Sequence, residues 1–121
     1  MIEVPRIITV VNRILKDRDK ISGVIHDGGG DYWFLFDDKH KWYLRSRARG
    51  FELRLYNKGD HKLDELASLE GIELDRVNYN EFSSIRVKND ILQEAFENLY
   101  NLIKYKDREF DDDFTEILSD L

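Results

Sequence analysis

The chain has 121 residues, with 19 Lys and Arg against 25 Asp and Glu, a formal net charge of −6 and no cysteine. One domain of this length buries roughly two-thirds of its unfolded surface without a staple; disulfides and thiolate metal sites are excluded, and a reducing cytoplasm suits it. No run approaches the ~20 apolar residues of a membrane span, and Glu3 and Pro5 without a small-residue cleavage pattern leave no signal peptide to expect.

Val4, Ile7, Ile8, Val11, Ile14 and Leu15 recur at helical spacing, which predicts a helix over about 4–18 with Pro5 in its first turn. A β region follows. Ile21 to His26 is the first strand; Asp27-Gly28-Gly29-Gly30-Asp31 is a turn. Tyr32-Trp33-Phe34-Leu35-Phe36 is apolar enough to be covered on both faces. Asp37-Asp38-Lys39-His40 turns into Lys41–Arg47, and Ala48-Arg49-Gly50 turns into Phe51–Tyr56, an antiparallel meander with short loops. Leu63, Leu66 and Ala67 suggest a short helix stopping at Gly71. Val77 and Tyr79 suggest a strand over about 73–80, and 81–88 is ambiguous. Asp90 with Gln93 resembles a capping box opening a long helix through Ile91, Leu92, Ala95, Phe96, Leu99, Leu102 and Ile103. Asp113 is placed to cap a last short helix bearing Phe114, Ile117, Leu118 and Leu121. The fold class is therefore α+β: one domain over 1–121, with a meander sheet of four to five strands. An N-terminal helix, a long C-terminal helix and short helices pack mainly on one face.

Charge is unevenly placed. Residues 1–60 carry 12 basic and 9 acidic side chains; residues 61–121 carry 7 and 16. The acidic segment 107–121 holds Asp107, Glu109, Asp111, Asp112, Asp113, Glu116 and Asp120 against Arg108, a net of −6 that equals the charge of the whole chain. Against this background stands the ribbon KWYLRSRARGFELRLYNK, residues 41–58, with six cations, four aromatics and one acid. Strand alternation puts Trp42, Leu44, Phe51, Leu53 and Leu55 on the helix-covered face. Tyr43, Arg45, Arg47, Arg54 and Tyr56, with Glu52 among them and Lys41 and Arg49 flanking at the turns, form the opposite face. That face reads in three ways: arginine stems and rings solvated beside the chain's own acids, a protein-recognition surface rich in Arg and Tyr, or a nucleic-acid platform. The net negative charge weighs against the last. The acidic end reads as a solvated terminus, as a mimic of phosphate spacing that occupies a basic cleft, or as a segment that docks on the basic sheet of the same chain or a second copy.

Catalytic patterns are weak. The glycines of HDGGGD lead into a strand, whereas phosphate cradles open a helix. His26-Asp27, His40 near Asp37 and Asp38, and His61 near Asp60 do not supply three converging ligands, so no metal and no cofactor are expected. No serine lies in a nucleophile elbow. The expected function is non-enzymatic: a small acidic cytoplasmic protein that binds another protein, such as a basic nuclease, toxin or nucleic-acid-binding enzyme, as an inhibitor or immunity or anti-defence factor. The alternatives are a nucleic-acid-binding module using 43–56 or a dedicated chaperone. A homodimer is admitted, and no membrane partner is expected.

Overall fold

Ile7, Val11 and Ile14 stand at spacings of four and three, and all three are buried on one side of helix α1 (Val4–Lys16), which has proline in its first turn. The computed structural model describes residues 3–57, 59–85 and 87–119, with side chains described to residue 107. A 3-10 turn, Arg18–Lys20, links α1 to the sheet. Five strands follow: β1 (Ile21–Asp27), β2 (Asp31–Phe36), β3 (His40–Arg47), β4 (Gly50–Leu55) and β5 (Asn80–Ser83). They lie in the order β1-β2-β3-β4-β5, every neighbouring pair antiparallel. The α+β fold and its meander are those expected from alternation and turn chemistry.

The turns hold the register. Asp37 and Asp38 both take positive φ, 58° and 55°, as tight hairpins between right-twisted strands require. Gly50 has φ 153°, and a Cβ there would lie 2.6 Å from Ser84 Oγ. That hydroxyl accepts from the Phe51 N–H at 3.0 Å, tying the start of β4 to the end of β5.

One face of the sheet meets α1 and the long helix α4 (Asp90–Ser119). Phe34, Leu44, Leu53, Leu92, Phe96, Leu99 and Ile103 are fully buried there. Complete burial of each such side chain contributes about 1.5–3 kcal/mol. The other face is also covered. The connection from β4 to β5 crosses it, and α2 (Leu63–Ser68) sets Leu63 and Leu66 against Trp33, Tyr43 and Tyr56.

Three local expectations change. Residues 72–75 form a helical turn, α3 (Ile72–Asp75), entered from Gly71 at φ 56°, and the fifth strand forms at 80–83. Val77 and Tyr79, the residues that suggested a strand, instead pack against the Trp33–Tyr56 cluster. The cap of α4 is Asn89: its side-chain oxygen accepts from the Leu92 N–H at 3.0 Å, while Gln93 takes the Ser84 hydroxyl at 3.1 Å. The short helix expected to start at Asp113 is a continuation of α4, which runs unbroken to Ser119.

Candidate functional site

Register brings the ribbon's charges to their counter-charges. Tyr43 pairs with Arg54 and Arg45 with Glu52 across β3 and β4, and Arg54 pairs with Glu81 across β4 and β5. Arg45 accordingly reaches Glu52 at 3.0 Å and Arg54 reaches Glu81 at 3.3 Å. Arg47 spans to the buried Asp31 at 3.1 Å. Asp31 also accepts from the Ser46 N–H at 3.1 Å and the Tyr43 hydroxyl at 3.4 Å. Asp27, at the other end of the glycine turn, takes the same hydroxyl at 2.8 Å. The HDGGGD turn thus supplies two carboxylates to the ribbon.

The expected open outer face is therefore a second core layer. Tyr43, Arg54 and Tyr56 are 6 %, 9 % and 1 % exposed. Tyr43 stacks on Trp33 with centroids 4.0 Å apart and planes 8° from parallel. Arg54 lies over the Tyr79 ring at 4.3 Å. Arg45 and Arg47 are half-buried, and Arg49 is exposed at the turn without an ion pair among the described residues. Burial, then the hydrogen bond to Asp27 and the charges of Asp27 and Asp31, push the Tyr43 phenol well above its ordinary value of 10.0, against the pull of Arg45. Burial opposes the Arg54 cation, but hydrogen bonds to Tyr56 and Glu81 and the neighbouring phenols outweigh it, and its pKa is raised. Tyr56 is raised by burial, with Arg54 working against it. A recess of about 320 Å3 remains beside Tyr43, Arg45 and Arg54, but Asp27, Glu70 and Asp75 line it too. A phosphate entering there would meet three carboxylates.

A larger concavity among the described residues lies elsewhere, along the edge strand β1. Gly23 takes φ 61° within a register shift between Ser22 and Ile25, so the edge is bulged. A cleft of about 890 Å3 opens here, with Ile21, Val24, Ile25, Leu35 and Leu63 as its apolar lining. Four lysines surround it, Lys39, Lys41, Lys62 and Lys106, together with Asp38 and Asp64. Lys41 donates to the His61 carbonyl at 2.6 Å. Asp38 accepts from Ser22 at 3.3 Å, and Asp64 accepts from the Glu65 N–H at 3.0 Å. Lys39, Lys62 and Lys106 make no ion pair among the described residues. An apolar floor under ammonium groups that make no ion pair among the described residues suits a ligand that is both greasy and negatively charged.

The ribbon residues Tyr43, Arg45, Arg47, Arg54 and Tyr56 lie on one face of the sheet, as strand alternation predicts, but that face is covered; sequence reasoning misses this cleft. Lys39, Lys62 and Lys106 come from a hairpin turn, a loop and the middle of α4, with no shared spacing. The one local signal is Gly23 inside a strand pattern, a mark of a bulge. Of the acidic residues singled out, Asp107 is half-buried. Glu109, Asp111, Asp112 and Asp113 lie in the helical backbone of α4, their side chains outside the described residues. His26 stacks on Tyr32 at 4.9 Å. Among the described residues no three His, Asp or Glu gather as metal ligands, and no helix is long and apolar enough to cross a membrane. No family model matches the chain, and comparison with curated proteins and with solved structures gives no match.

Proposed function

We propose that this protein works by binding another protein, without catalysis, and that the β1 cleft is the surface it uses. The observation that carries this reading is the contrast in counter-charge. Arg45, Arg47 and Arg54 are paired with carboxylates of the sheet, whereas Lys39, Lys62 and Lys106 rim an apolar cleft without an ion pair among the described residues. The partner segment carries carboxylates flanking apolar side chains. Inhibition or holding of that partner, as in immunity and anti-defence factors, is the role that suits a domain of this size and solubility. The nucleic-acid reading loses its main support once the ribbon's guanidiniums are committed to Glu52, Asp31 and Glu81.

Affinity capture from the native host, with the complex weighed under non-denaturing conditions, tests the reading. The expected result is a defined protein complex that Lys39→Glu/Lys62→Glu abolishes and Arg45→Ala/Arg47→Ala leaves intact. Micromolar binding to DNA or RNA that weakens steeply with salt and is lost with the arginines would overturn it.

A further inference from the structure

We infer that the segment this cleft receives is the acidic end of α4 from a second copy of the chain, in a reciprocal dimer; this rests on the reading of the cleft as a protein-binding surface. The length of α4 is the first argument. Ile103 is its last residue in the described core, yet the helix continues to Ser119, roughly 24 Å further at 1.5 Å per residue.

The second argument is chemical. Phe114, Ile117 and Leu118 stand at i, i+3 and i+4 in the sequence of α4, a spacing by which an amphipathic helix anchors in a groove. Asp111, Asp112, Asp113, Glu116 and Asp120 surround them in sequence. An acidic helix with one apolar stripe is the complement of an apolar floor rimmed by lysines.

The third argument is that this end of α4 is electrostatically unfavourable alone. The last turn has no basic residue, and a helix C-terminus repels negative charge. Glu109 and Asp113, and Asp112 and Glu116, stand four apart in the sequence of α4, like-charged spacings that weaken an isolated helix. Cations supplied from outside relieve both effects. Lys106 rims the cleft from the same helix, whose backbone carries the following residues onward without interruption, so the far end of α4 does not fold back into its own cleft. A second copy has no such constraint. Two copies related by a twofold axis exchange the same contact twice, closing the assembly.

Sedimentation of the full-length chain and two charge-reversed forms, Lys39→Glu/Lys62→Glu/Lys106→Glu and Asp111→Lys/Asp112→Lys/Asp113→Lys, tests this. The wild type is expected to dimerise at micromolar concentration, and each reversed form to dimerise at least about tenfold more weakly. An equimolar mixture of the two reversed forms is expected to recover the dimer, because each then offers the other the opposite charge. Circular dichroism checks folding; if a reversed form is unfolded, the corresponding Gln or Asn variants replace it, and the dimer is expected to weaken with salt. A wild type that stays monomeric, or a mixture that does not recover, overturns the inference. The cleft reading is decided separately: a monomeric wild type whose captured partner is lost with Lys39→Glu/Lys62→Glu sinks the dimer and keeps the cleft.

Discussion

The outer face of β3 and β4 and the cleft along β1 are both rich in cations, and they differ in where the counter-charges are. On the ribbon, Arg45, Arg47 and Arg54 meet Glu52, Asp31 and Glu81 at 3.0, 3.1 and 3.3 Å, under the cover of α2 and its flanking loops. Around the cleft, Lys39 and Lys62 are exposed and unpaired among the described residues. Residue chemistry contributes to the difference. Arginine's planar fork suits partly buried pairs and ring faces, whereas lysine's strongly hydrated ammonium stays at a wet rim. A basic stretch in an acidic protein is thus a structural layer, and the sparser basic patch is the one without ion pairs among the described residues.

That contrast can be broken or sharpened by substitution. The largest effect is expected for Trp33→Ala, which removes the centre of the second core layer: a loss of about 3–5 kcal/mol of unfolding free energy in urea titration. Arg54→Ala comes next. It strips a buried cation from Glu81, Tyr56 and the Tyr79 ring, and about 2 kcal/mol is expected, with Arg54→Lys recovering only part because it lacks the fork.

Alkaline titration separates the layers further. The phenol of Tyr43 keeps its proton in the fold at pH values where the unfolded chain releases it. Its contribution is therefore whole below the ordinary value of 10.0 and is lost as pH rises toward the higher folded value. Unfolding free energy should fall as pH climbs above 10.0, with a shallower slope in Tyr43→Phe. A half-buried ribbon pair is worth less: Arg45→Ala should cost under about 1 kcal/mol. The smallest change in stability, within about 0.5 kcal/mol, is expected for Lys39→Glu/Lys62→Glu, the same variant that should abolish partner capture.

How much of this was readable beforehand follows from the range of each signal. Strand alternation separates Trp42 and Leu44 from Tyr43 and Arg45 because side chains two apart share a face, a relation within one strand. The helical stripes of α1 and α4 are equally local. The cover on the second face is not, since it rests on Leu63 and Leu66 in a six-residue helix whose packing direction no spacing encodes. The apolar run Tyr32–Phe36 did signal cover on both sides of β2, and the neighbouring strand shares that cover. Asp31 and Asp27 became partners of Arg47 and Tyr43 only through the register of β1, β2 and β3. The cleft needed three separate parts of the chain in one place.

The most direct test of the central claim is hydrogen exchange at the arginine Nε–H groups, followed by NMR on the free protein. A resolved, slowly exchanging Arg54 Nε–H, with Arg49 averaged and fast, is expected if the ribbon's cations belong to the fold. An Arg54 Nε–H that exchanges as rapidly as that of Arg49 would mean the ribbon is open to solvent and would contradict the account.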